Sequence, residues 1–94
     1  MLVGICEYKL FLPAVHSLKE KRVLLKSLLA RLQNKFNAAV CEADEQDLWQ
    51  RATLGVAVVG NERRHVDSML NNITEFVEGF SVEIELLDVQ QEIW

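Results

Sequence analysis

The residues best able to do chemistry in this sequence are cations. Between His16 and Phe36 lie Lys19, Lys21, Arg22, Lys26, Arg31 and Lys35, and Glu20 is the one acid among them. Ammonium and guanidinium groups recognise phosphate, as a point charge or through a planar fork. At 100° per residue, Lys19, Arg22 and Lys26 fall on one helical stripe, while Arg31 and Lys35 lie on the other flank. Arg63 and Arg64 open a second helical pattern and offer two more phosphate contacts. Such a surface tracks an RNA backbone through sequence-independent, salt-sensitive contacts. The plainer reading is a solvated helix face whose lysine stems cover the edge of the core. A net charge of −4 and a pI near 5.1 weigh against strong nucleic-acid affinity.

Other chemistries find less support. The run Glu42-Ala43-Asp44-Glu45-Gln46-Asp47 is rich in carboxylates but lacks the Asp/Asn-Gly spacing and closing Glu of a calcium loop. It reads as a solvated loop. His16 and His65 have no metal-spaced partner, and no nucleophile motif surrounds them. No glycine-rich phosphate loop is present. Cys6 and Cys41 form no Cys-x-x-Cys pair and read as two small buried side chains in a reducing compartment. The expectation is therefore a protein without catalytic residues, metal or cofactor. Trp49, in Asp47-Leu48-Trp49-Gln50-Arg51, is either a loop anchor packed beneath the first helix or an exposed hot spot for a partner.

The elements that must position these groups follow from hydrophobic period. Residues 2–12 read as a strand that Pro13 ends, because proline has no N–H for the ladder. Ser17-Leu18-Lys19-Glu20 has the form of a capping box. It starts a helix that runs to about Lys35, with Leu18, Leu25, Leu28, Leu29, Leu32 and Phe36 on one face. Residues 38–43 read as a short strand. Residues 52–59 carry no charge and read as a central one. Asn61 caps a second helix over 62–78, and Gly79 stops it. Residues 82–89 give the last strand, with Val82, Ile84 and Leu86 alternating with Glu83 and Glu85.

Strand, helix, strand, strand, helix, strand is the split βαβ order. It predicts an α+β, ferredoxin-like βαββαβ sandwich: a four-stranded antiparallel sheet of order 4-1-3-2 with two helices on one face. Residues 1–94 read as a single domain. Cys6 and Cys41 then lie on strands that are not neighbours. No window is long and apolar enough to span a membrane, and no signal-peptide pattern opens the chain, so a cytoplasmic setting is expected.

Helices on one face leave the other open. If the bulkier third-strand set (Leu54, Val56, Val58) faces inward, the open face carries Ile5, Phe11, Ala57 and Val59, with acids toward the fourth strand. A large apolar patch marks an interaction surface. A homodimer through these residues, with Trp49 nearby, is one expectation. The alternative is a C-terminal lid of Ile93 and Trp94. The third strand has no aromatic residue, so this sheet is a poor base-stacking platform. A small-molecule regulatory domain is a further alternative, by analogy of fold alone.

Four stretches carry a wider likeness: LVGICEYKL at the start, His16 to Arg22, Asp47 to Ala52, and Gly60 to Val66. With them the chain resembles the YlxP-like family of small bacterial proteins of unknown function, over nearly its whole length. The resemblance implies a ferredoxin-like fold in a bacterial cytoplasm. Genes of that family often lie among translation and ribosome-maturation genes, which implies a ribosomal particle or RNA as partner. It supplies no catalytic residue. The combined expectation is a non-enzymatic accessory protein that touches RNA through the first helix.

Overall fold

The computed structural model describes residues 1–94. The elements follow in the order β1 (Leu2–Phe11), α1 (Leu18–Lys35), β2 (Ala39–Asp44), β3 (Arg51–Gly60), α2 (Arg63–Glu78) and β4 (Glu85–Ile93). The sheet is antiparallel with order β2-β3-β1-β4, which is the expected order read from the other edge. The fold is the ferredoxin-like βαββαβ arrangement, and no helix is long and apolar enough to cross a membrane.

Alternation along the two central strands decides which side chains meet the helices. Gly4, Cys6, Tyr8 and Leu10 of β1 and Ala52, Leu54, Val56 and Val58 of β3 are buried beneath them. Val3, Ile5, Glu7, Lys9 and Phe11 point to the open face, opposite Val59, Ala57, Gly55, Thr53 and Arg51. Gly4 lets α2 settle on β1. A Cβ there would stand 2.6 Å from Val66 Cγ1 and 2.9 Å from Leu70 Cδ1.

Ser17 caps α1, its hydroxyl accepting from the Glu20 N–H at 3.1 Å. The Glu20 carboxylate accepts from the His16 N–H at 2.6 Å, so the box closes one residue earlier than its usual form. The start of α2 departs from expectation. Glu62, not Asn61, is its N-cap, and no side chain caps it. Gly79 closes the helix, its N–H bonded to the Glu75 carbonyl.

β4 begins three residues later than the pattern predicts. Ser81 makes the difference. Its hydroxyl accepts from the Glu83 N–H at 3.0 Å and its carbonyl from the Ile84 N–H at 3.2 Å. A serine that bonds its own backbone favours a turn over a ladder. Val82 and Glu83 therefore stand exposed ahead of the strand. A bulge follows: Lys9 pairs with Asp88 and Leu10 with Leu86, leaving Leu87 unpaired. The C-terminus forms no lid. Trp94 exchanges both backbone hydrogen bonds with Val3, at 2.8 and 2.9 Å, and extends the sheet.

α1 and α2 run in opposite directions and meet through their C-terminal turns. The Phe36 and Phe76 rings pack edge to face at 5.7 Å. At 1.5 Å per residue, roughly 20 Å of helix leads away from this junction on each side. The molecule is accordingly elongated, with extents of 42 × 20 × 18 Å.

Candidate functional site

The fold engages three of the six cations on α1 and leaves three free. Lys21 continues the buried row Leu25, Leu28 and Leu32, and is itself 1% exposed. Its ammonium donates to the Glu45 and Leu48 carbonyls, both at 2.7 Å, and lies 2.8 Å from Glu42 Oε2. The Arg31 guanidinium lies over the Phe80 ring at 5.9 Å, and Lys35 over Phe76 at 5.1 Å. Lys19, Arg22 and Lys26 are exposed, and none pairs with a carboxylate: the two ion pairs of the structure are Lys21–Glu42 and Arg51–Glu45. Val23 stands among them, 66% exposed. A hollow of about 470 Å³ lined by Arg22, Lys26, Leu29 and Gln33 runs toward Glu42 on β2. Another, of about 380 Å³, lies between Lys19, Val23, Leu24 and Glu83.

Lys21 also organises the loop between β2 and β3. Glu45 takes φ +63°, the left-handed region, which is unusual for a residue other than glycine. Its N–H donates to Asp44 Oδ1 at 2.8 Å, and its carboxylate accepts from Thr53 Oγ1 at 3.1 Å and faces Arg51 Nε at 3.6 Å. Gln50 ties the far end, its amide donating to the Pro13 and Val15 carbonyls and its own carbonyl accepting from the Leu12 N–H. The carboxylates of the 42–47 run are thus mostly spent on the loop, and no group of three or more His, Cys, Asp or Glu side chains converges on a common point. Leu48 and Trp49 project from this frame, 49% and 52% exposed. Trp49 is not an anchor beneath α1; Lys21 is. Sequence reasoning missed that role, because a lysine inside a basic run reads as one more surface charge.

The expected five-cation surface divides in two. Lys19, Arg22 and Lys26 lie on the first half of α1, and Arg63 and Arg64 on the first turn of α2. Each half points away from the Phe36–Phe76 junction, so the two groups stand at opposite ends of the long axis. Arg63 and Arg64 are also exposed and have no carboxylate partner.

The residues expected at a partner or dimer interface also divide. Ile5 sits opposite Ala57, and Val3 opposite Val59, toward the end where Trp94 joins the sheet. Phe11 lies six residues along β1, between Arg51 and Glu85, at the end that carries the Trp49 loop. Glu85, Asp88 and Glu92 of β4 share the open face, so its β4 side is acidic as expected, although Glu83 is not part of it. Cys41 is exposed on β2, in line with Gly55, which corrects the expectation of two buried thiols. Ile5, Ala39, Cys41, Gly55 and Ala57 line a shallow hollow of about 290 Å³.

Beneath the sheet, Cys6 and Tyr8 face α2. Burial is the main cause that raises both the Cys6 thiol and the Tyr8 phenol above their ordinary values. The phenol lies 2.8 Å from Thr74 Oγ1, so this buried polar cluster is satisfied internally and has no path to solvent reagents.

A family model described as protein of unknown function (DUF503) matches residues 3–91. The uncharacterized protein YlxP of Bacillus subtilis (strain 168) is 39% identical over 84 residues, which cover 89% of this chain and 90% of that protein.

Proposed function

The chain belongs to the DUF503 family, a family of proteins of unknown function, and on that footing we propose that it is a non-enzymatic accessory protein that binds RNA, free or in a ribosomal particle, through Lys19, Arg22 and Lys26 of α1. One observation carries the reading. Of six cations on this helix, those three alone are neither buried against a carboxylate nor laid over an aromatic ring. Free, contiguous cations on a rigid helix are what a phosphate backbone requires, and their attraction falls as salt rises. Reversing all three charges abolishes co-sedimentation with ribosomal particles at low salt; unchanged sedimentation rejects the reading. Arg63 and Arg64 join the contact only where a ligand is long enough to reach the far end.

A second reading, a homodimer through the open sheet, is favoured by one observation. Ile5, Val59 and Trp94 are 38%, 56% and 71% exposed on the same end of that face. Exposed apolar groups of this size gather at interfaces. Val59→Glu turns such a dimer into a monomer by light scattering, and a wild type that is monomeric at high concentration excludes it. The two readings are compatible, because the open sheet face lies opposite the helices.

A further inference from the structure

We propose that Trp49 is a stacking platform for an unpaired nucleobase, so that the RNA bound along α1 is single-stranded where it passes the β2–β3 loop. This rests on the α1 reading and adds what three cations lack. For a single strand, log affinity falls with log salt at about 0.7 per neutralised phosphate, hence about 2 for three contacts. That is a weak ionic grip for an acidic chain, and affinity needs a non-ionic source. Base–aromatic stacking is one that tolerates any sequence.

The structure joins the two features through one residue. Lys21 precedes Arg22 in α1, and its ammonium donates to the carbonyl of Leu48, the neighbour of Trp49, at 2.7 Å. The backbone that carries the exposed indole is therefore tied to the helix that carries the free cations. The loop is costly to build: it uses a buried lysine and a glutamate at φ +63°. Strained and buried polar positions of this kind cluster at functional sites. A loop whose backbone is already held loses little freedom when a ligand settles on it.

The surroundings fit a base better than a protein. A protein hot spot lies at the centre of a desolvated, apolar patch. Around Trp49, Leu48 is the one apolar neighbour in a hollow of about 400 Å³ otherwise lined by Asp47, Gln50 and Arg51. Burying that rim would strip water from a carboxylate and a guanidinium. A base covers one face of the ring and leaves the rim wet.

The test uses the full chain with Trp94→Phe, which leaves Trp49 as the one indole. It is titrated with an oligoadenylate and with a duplex RNA of equal length. The expected result is quenching of Trp49 fluorescence by the single strand and not by the duplex. Trp49→Leu then weakens single-strand binding about ten-fold without changing its salt slope, while Trp49→Phe keeps most of it. Quenching in the parent chain remains decisive if Trp49→Leu fails to fold. Single-strand binding with no quenching, untouched by Trp49→Leu, overturns the platform alone and returns the loop to a protein partner. Binding of neither RNA overturns the α1 reading and the platform with it.

Discussion

Lys21 Nζ stands 2.8 Å from Glu42 Oε2, and this buried pair ties the start of α1 to β2 and to the loop that follows it. The carboxylate oxygen is sealed from water and has no other partner, while the ammonium spends its hydrogen bonds on the Glu45 and Leu48 carbonyls. The hydrogen bond from Lys21 to the Leu48 carbonyl joins two of the stretches on which the family resemblance rests, His16 to Arg22 and Asp47 to Ala52. Their shared purpose is structural at this point: one supplies the clamp and the other the loop that is clamped.

Replacing that lysine by methionine keeps the shape and removes the charge. The Glu42 carboxylate then loses its counter-charge and two carbonyls lose their donor. Breaking one side of a buried pair costs about 3–5 kcal/mol, and the lower end applies because the Glu42 side chain keeps 21% exposure. Lys21→Met therefore lowers stability by about 3 kcal/mol in urea unfolding. It also opens residues 45–50 to proteolysis in the native state. Glu42→Gln costs about 1 kcal/mol, since the ammonium keeps its hydrogen bonds to the Glu45 and Leu48 carbonyls and loses only the charge beside it. Equal costs for the two variants contradict the clamp.

Two glycines make a paired prediction about packing. Gly4→Ala drives a methyl group against Val66 and Leu70 and destabilises by about 1–3 kcal/mol. Gly79→Ala meets only the Glu75 carbonyl, at 3.5 Å, on a backbone with φ −95°, and is neutral within about 0.5 kcal/mol. The same thermal-melt comparison checks both, and a neutral Gly4→Ala contradicts the close seating of α2.

The thiols give a pH prediction. Cys6 and Tyr8 ionise at higher pH in the fold than at their ordinary values of 9.0 and 10.0. Above pH 9 the unfolded chain releases protons that the native state keeps. Their contribution to stability is thus complete below pH 9 and is lost as pH rises through the raised values. Urea midpoints decline across this alkaline range, and Cys6→Ala makes the decline shallower. A thiol reagent at neutral pH labels Cys41 at once and Cys6 only on unfolding. Rapid labelling of both contradicts the buried cluster.

Much of the fold is legible because its signals are local. Alternation in β1 and the uncharged run of β3 set the two faces of the sheet, and Ser17 with Glu20 marks the start of α1. The start of β4 is illegible because Val82, Ile84 and Leu86 alternate like a strand, whereas the Ser81 side chain, a single local competitor, turns the chain. The candidate site is legible only in part. Lys19, Arg22 and Lys26 share a helical stripe whatever the tertiary structure. Their freedom depends on where the carboxylates and phenyl rings fall, and Lys21 shows the difference. It sits on the leucine row, four residues before Leu25 and seven before Leu28. Periodicity thus places it inward, while its charge argues outward until the Glu42 carboxylate and the Glu45 and Leu48 carbonyls are found across the gap.

RNA binding at α1 rests on three free cations, and one measurement counts them. Affinity for a short single-stranded RNA is followed against salt for the wild type and for Lys19→Gln, Arg22→Gln and Lys26→Gln, singly and together. The predicted wild-type slope of log affinity on log salt is about −2, each single change lowers its magnitude by about 0.7, and the triple variant brings it near zero. Arg63→Gln with Arg64→Gln leaves the slope of a short ligand unchanged, because those residues stand at the other end of the molecule. A slope that survives the triple change, or that follows Arg63 and Arg64 instead, contradicts the assignment of RNA binding to α1.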